Sequence, residues 1–202
     1  MKDDIQIRLL FPTCISESIF PRELTEDELK HLHPLDVLRN NKNIISSNKT
    51  ILEIDELKEI KDFCLSAINQ YLVSVINPVN QISLYITQSW ININQKGDYH
   101  KRHKHPNSLL SGVFYIETSE TDSIIFHKSS EWLFDIEPAE ATHLNCDHWH
   151  YPVKNNTLLI FPSFLEHEVP QKLNEGNRIS LSFNTFFTGT AGKNERSTLI
   201  TL

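Results

Sequence analysis

Near Asn80 the hydrophobic pattern of this chain changes period, and no other feature restricts its fold as much. Before that point Ile54, Leu57, Phe63, Cys64, Ile68, Tyr71, Leu72 and Val75 recur at helical spacing. The spacing predicts a helix over about 53–76, ended by Pro78. After that point the period is two. "QISLYITQSWININ", "SLLSGVFYIET", "SIIFHK", "NTLLIFP" and "NRISLSFNTFF" each read as a strand. Helices followed by at least five antiparallel-looking strands predict an α+β fold, a β-sandwich or open barrel with helices packed on one outer face.

Weaker signals fill in the rest. "IQIRLLF" alternates and reads as a first strand, and "LTEDELKHL" as a short helix with Thr25 as N-cap and Glu28 three residues on. Residues 39–50 are polar and read as loop. "EWLFDIEPAEATHLNCDHWHYPV" reads as irregular, with a short strand near its start, and "GTAGKNERSTLITL" as a polar tail. At 202 residues, 39% hydrophobic, the chain suits a single domain, 1–202, with a sizeable core. Residues 1–80 supply a strand and supporting helices, 81–188 the β core and 189–202 the tail.

No run of about 18 apolar residues predicts a membrane helix, and "MKDDIQIRLLFPT" does not read as a signal peptide. Cys14, Cys64 and Cys146 are scattered and form no CxxC, which suits a reducing cytoplasm. A net charge of -7 argues against a general grip on nucleic-acid phosphates. The one cationic cluster, "HKRHKH", is too short to imply one.

The chemistry concentrates in "RHKHPNSLLSGVFYI". On a strand, residues i and i+2 share a face, so His103 and His105 are placed to aim at one ion. Neutral imidazole suits Fe, Zn, Cu or Ni. Two such histidines are also what a solvated basic loop contains, and three further features weigh against that reading. In "NTLLIFPSFLEHEVP" a buried strand ends in "FP" and His167 follows. In "NRISLSFN" Ile179, Leu181 and Phe183 form one face, and Arg178, Ser180, Ser182 and Asn184 the other. An arginine on an inner face is costly to bury without an anion. The order is His-x-His, a long gap, His, a short turn, then Arg. It suits Fe(II) held by three protein ligands with three positions open, and a diacid whose far carboxylate meets the arginine.

"SWININQKGDYHKRHKHPNSLLSGVFYI", "LLIFPSFLEHEVP" and "RISLSFN" resemble the 2OG-Fe(II) oxygenase family of bacterial and phage proteins, related to the prolyl-hydroxylase-like branch; "LFPTCI" fits its opening. The resemblance covers most of the chain. It implies a mostly β, double-stranded β-helix (jelly-roll, cupin-like) fold, Fe(II), 2-oxoglutarate as cosubstrate, O2, and hydroxylation of an unidentified substrate. By position it makes His103 and His167 iron ligands. The family usually has Asp or Glu two residues after the first histidine; this chain has His105, one negative charge fewer. Arg178 matches the 2-oxoglutarate arginine, with Ser180 as its small polar companion. Tyr115 matches a tyrosine that helps hold the cosubstrate carboxylate, and Asn92, on one strand face with Gln88 and Trp90, is a further contact. Asn155 and Asn156 stand in a turn where the family often has glycine.

Among the other histidines, His148 and His150 read as loop residues near the pocket mouth, and His127 as a strand-face residue. His100 is an alternative ligand, expected on the strand face opposite His103. The prolyl-hydroxylase likeness puts a protein or peptide substrate slightly ahead of a small metabolite. Two rivals stand beside this reading. One is a three-His dioxygenase that uses no 2-oxoglutarate and spends Arg178 on a substrate carboxylate. The other is a non-catalytic jelly-roll module whose histidines hold zinc or nothing.

Overall fold

Strands whose two faces carry different chemistry set the architecture of the computed structural model, which describes residues 5–40, 42–129 and 136–202. In chain order the elements are β1 (Ser16–Ile19), α1 (Glu26–Leu32), β2 (Val37–Asn40), β3 (Asn43–Ser46), α2 (Lys58–Tyr71), β4 (Ile82–Asn94), β5 (His100–His103), β6 (Leu110–Glu117), β7 (Ser123–His127), β8 (His148–Pro152), β9 (Thr157–Pro162), β10 (His167–Val169), β11 (Arg178–Ala191) and β12 (Ile200–Thr201). Among the described residues a large sheet runs β1-β9-β6-β11-β4-β3-β2, with β12 beside β11, and a smaller one runs β5-β10-β7-β8. The pairings between these strands are antiparallel.

The odd-numbered apolar residues of β11 face the helices. Ile179, Leu181 and Phe183 join Ile91, Phe114, Leu158 and Ile160 of neighbouring strands in one core with Ile60, Cys64 and Ile68 of α2 and Leu32 of α1. A second core of Tyr115, Ile124, Phe126, Leu159, Phe161 and Leu165 lies between the two sheets. This is the two-layer β architecture expected, with helices on one outer face. One close approach locks it: Gly112 is opposite Phe183, and a Cβ there would lie 2.1 Å from the Phe183 ring.

Several local expectations hold. Thr25 caps α1, accepting from the Glu28 amide at 3.2 Å while the Glu28 carboxylate accepts from the Thr25 amide at 2.7 Å. Asn156 takes a left-handed φ of 61°, which asparagine tolerates better than most residues.

Others need correction. Residues 5–11 form no strand; Ile5 and Phe11 are 84% and 95% exposed, and alternation without a partner strand builds no ladder. The helix over 53–76 is broken up: 3-10 turns at Ile51–Glu53 and Asp55–Leu57, α2, then a π turn at Leu72–Ile76. Its stop comes before Pro78, at Asn77, left-handed at φ 46°. Within the stretch read as loop, residues 39–40 end β2 and residues 43–46 form β3. Polar side chains there face inward: the Ser46 hydroxyl accepts from the Ile91 amide at 3.0 Å and donates to the Asn48 carbonyl at 2.7 Å. His148 and His150 belong to a strand, β8, paired with β7. The C-terminal residues fold back, Thr201 pairing with Thr190. The short strand expected near Glu131 lies outside the described residues. No helix among the described residues is long and apolar enough to cross a membrane.

Candidate metal centre

The β5–β10 pairing sets His167 opposite His103. His105 follows in the loop after β5, its amide held by the Ser163 carbonyl at 3.0 Å. The chain thus brings His103, His105 and His167 together, their ligating atoms within 4.8 Å of one another. His100 and His103 do not point apart as expected. His100 is opposite Val169, so β5 carries one residue more than β10 between the two pairs. That bulge turns both side chains to one face, and their rings stack at 4.1 Å.

Each of the three imidazoles is oriented by an acceptor on Nδ1. His103 donates to the Lys101 carbonyl at 2.7 Å, His105 to Asn184 Oδ1 at 2.7 Å, and His167 to the Leu165 carbonyl at 2.9 Å. These oxygens only accept, so Nδ1 carries the proton and Nε2 keeps a free lone pair. Nε2 of His105 is buried without a hydrogen-bond partner among the described residues. Burial, and after it His103, pushes His167 down to about 3, and burial lowers His103 and His105 too. Neutral rings with fixed tautomers are what metal ligation requires. The donor set therefore fits a divalent iron, zinc or nickel ion.

At the other end of the same cavity sits Arg178, 3% exposed. Its Nη1 reaches Asp122 Oδ1 and its Nη2 the Pro170 carbonyl, both at 3.4 Å. Asp122 is itself held by the Ser119 amide at 2.8 Å and hydroxyl at 3.0 Å, and buried Lys172 lies 3.4 Å from its other oxygen. Two buried cations thus share one carboxylate. Burial lowers the Arg178 guanidinium, against the pull of Asp122 and Tyr115. Ser180 and Tyr115 are Cα partners lining the cavity, and burial raises the Tyr115 hydroxyl. Asn92 lines it too, but its amide is engaged: Oδ1 accepts from Asn43 at 3.2 Å and Nδ2 donates to Ser182 at 2.9 Å. Trp90 stacks near His105, centroids 6.0 Å apart, at an opening shared with Asn40, Ile45 and Lys104. His127 ends β7 and His148, its Cα partner, begins β8; Nε2 of His127 lies 3.5 Å from Glu168.

Sequence reading placed Asn184 on the inner face without giving it a role, and missed three polar residues here, Asn94, Asp122 and Lys172. Asn94 was findable, since it continues the inner-face alternation of Trp90 and Asn92. Asp122 and Lys172 precede β7 and follow β10, and no periodicity marks them.

Residues 88–184 match a family described as "Putative 2OG-Fe(II) oxygenase". No curated protein matches the sequence. Among solved structures, an oxidoreductase of the 2OG-Fe(II) oxygenase family from Burkholderia pseudomallei is 12% identical with a TM-score of 0.57, over 84% of this chain and 83% of that one. HygX from Streptomyces hygroscopicus, with nickel, 2-oxoglutarate and hygromycin B bound, is 16% identical at a TM-score of 0.54, over 86% and 82%. A Pseudomonas putida prolyl-4-hydroxylase is 12% identical at 0.51, over 85% and 92%. The matched span holds His103, His105, His167 and Arg178; over those residues the chain is similar to the 2OG-Fe(II) oxygenase family, and it shares the fold of these structures.

Proposed function

We propose that this protein is a 2-oxoglutarate- and Fe(II)-dependent dioxygenase that hydroxylates its substrate, with His103, His105 and His167 as the iron ligands and Arg178 as the cosubstrate anchor. The observation that carries this is one cavity with three oriented, neutral imidazoles at one end and a buried, net cationic Arg178–Asp122–Lys172 group at the other. Bound iron with 2-oxoglutarate would supply the oxidising chemistry, oxidative decarboxylation coupled to substrate oxidation. The protein's part is to hold and orient. The acceptors on Nδ1 aim the three rings, Arg178 presents a planar fork to a carboxylate, and Ser180 and Tyr115 supply polar contacts along the same wall, while Asn92, its amide engaged by Asn43 and Ser182, braces it. Phe161, Ile124 and Val113 line the cavity and keep water from its walls.

The substrate is not ranked by fold. Structures of this fold include both a prolyl-4-hydroxylase and a protein with hygromycin B bound, so a peptide has no advantage over a small molecule. Unpaired Cys14, Cys64 and Cys146 suit the cytoplasm we assign it.

The test is titration of the anaerobic Fe(II) protein with 2-oxoglutarate, followed by succinate measurement in air. We expect one iron per chain, saturable 2-oxoglutarate binding and succinate formation. Iron binding without 2-oxoglutarate binding would favour the second reading, a three-His dioxygenase using another oxidation route, which His105 in place of the usual carboxylate ligand supports.

A further inference from the structure

The inner face of β4 carries three side chains opposite β11: Trp90 faces Ser182, Asn92 faces Ser180 and Asn94 faces Arg178. The two asparagines are not equivalent. Asn92 has both ends of its amide engaged, with Asn43 and with Ser182, and cannot turn to a ligand without giving those bonds up. Asn94 lies one pleat deeper, 4% exposed, and lines the cavity. Its Nδ2 is buried with no hydrogen-bond partner among the described residues. Folded proteins pair nearly all such groups, and an orphan donor on a residue that lines a cavity marks a place for an acceptor.

The neighbours say what kind of acceptor. Among the described residues the hydrogen bonds of Arg178 are long, 3.4 Å to Asp122 and 3.4 Å to the Pro170 carbonyl, against an ordinary range of about 2.7–3.2 Å. Its anionic partner among the described residues, Asp122, is shared with Lys172, which leaves one positive charge over in this group. Tyr115 stands on the other flank of β11, opposite Ser180. An anion seated here would meet donors from three adjacent strands, β4, β11 and β6. A carboxylate has two oxygens, one for the guanidinium fork and one for a neutral amide beside it.

We propose that Asn94 is a second donor of the carboxylate site, its Nδ2 hydrogen-bonding the distal carboxylate that Arg178 anchors. This rests on the 2-oxoglutarate reading above. It makes Asn94 a specificity residue: it rewards a 2-oxo acid with a second carboxylate at this distance and does nothing for one without it.

The test compares two 2-oxo acids, 2-oxoglutarate and 2-oxobutyrate, which lacks the distal carboxylate. Affinities are read by calorimetric titration of the Ni(II)-loaded protein, and nickel affinity is measured in parallel. Asn94→Ala should weaken 2-oxoglutarate about tenfold and leave 2-oxobutyrate and nickel unchanged. Asn94→Asp, nearly isosteric, should weaken 2-oxoglutarate about a hundredfold, because it sets carboxylate against carboxylate. It carries the test if the alanine variant does not fold. Full 2-oxoglutarate affinity in Asn94→Ala, or equal or tighter binding in Asn94→Asp, would overturn the role of Asn94 while leaving the cosubstrate reading intact. Wild-type protein that takes nickel but not 2-oxoglutarate would remove that reading, and this role with it.

Discussion

His103 and His167 are Cα partners across the β5–β10 pairing, and their ring centroids lie 4.3 Å apart. Directly paired residues of an antiparallel ladder hold their Cβ atoms about 4.5–5.5 Å apart. The ladder therefore fixes two of the proposed ligands, and the third, His105, hangs on the loop that follows. The expected consequence is unequal tolerance. His103→Ala and His167→Ala should each abolish stoichiometric iron binding, a larger loss than the roughly 10–100-fold that removing an outer partner of a ligand costs. Iron per chain after anaerobic reconstitution measures it; full occupancy in either variant would remove that histidine from the site.

His105→Asp should keep Fe(II) or bind it more tightly, because a carboxylate adds a negative charge beside the cation. His105→Ala should weaken it. Loss of iron in the aspartate variant with retention in the alanine variant would put His105 outside the ligand set.

The orientation of His105 depends on Asn184, whose Oδ1 also accepts from the Ser111 hydroxyl at 3.1 Å. Asn184→Ala frees the imidazole to rotate and to change tautomer. Metal affinity should drop about 10–100-fold without loss of the fold. An unchanged iron titration in a well-folded Asn184→Ala protein contradicts this.

How much of this was legible in the sequence follows from where the information sits. The alternation of "NRISLSFN" names its own two faces, so Arg178 and Ser180 could be placed on the wall opposite Leu181 before any coordinates. Thr25 and Glu28 signal a local hydrogen-bond pattern, and local patterns survive folding. The relation of His100 to His103 depends instead on one extra residue in β5 relative to β10, a property of pairing that neither strand encodes alone. The alternating segment at Ile5–Leu9 fails for the same reason in reverse, since it has the period of a strand and no partner. Asp122 and Lys172 meet across 50 residues of sequence, and only the tertiary fold brings that pair to Arg178.

Gly112→Ala tests the packing on the helix-facing side of the large sheet, behind the cavity wall. The added Cβ would lie 2.1–2.6 Å from three atoms of the Phe183 ring, which is itself fully buried. Overpacking of this kind costs about 1–3 kcal/mol. For a chain of this size that is roughly 2–12 °C in Tm, at about 2–4 °C per kcal/mol. Differential scanning calorimetry of the metal-free protein reads it directly, and a Tm equal to wild type would show that Phe183 has room to move.

Substitution of Arg178 should separate cosubstrate binding from metal binding and from folding. Its guanidinium is buried, but it is not the sole partner of Asp122, since Lys172 lies at 3.4 Å and the Ser119 amide and hydroxyl also donate to that carboxylate. Removing Arg178 therefore leaves Asp122 compensated, and the variant should fold. None of the three histidines touches Arg178, so iron should stay bound. What is lost is the fork. Breaking a buried ion pair typically costs about 3–5 kcal/mol, so Arg178→Ala should weaken 2-oxoglutarate on the order of a hundredfold or more. Arg178→Lys should recover only part, because an ammonium is a point charge without the planar pair of donors. Asp122→Asn moves the other way: it removes the anion that competes for Arg178 and raises the local positive charge. It should hold or tighten 2-oxoglutarate binding while lowering Tm, since two buried cations then face each other without a carboxylate. Anaerobic titration of the Fe(II) protein measures all three. An alanine variant that binds 2-oxoglutarate as tightly as wild type would place the carboxylate site elsewhere in the cavity.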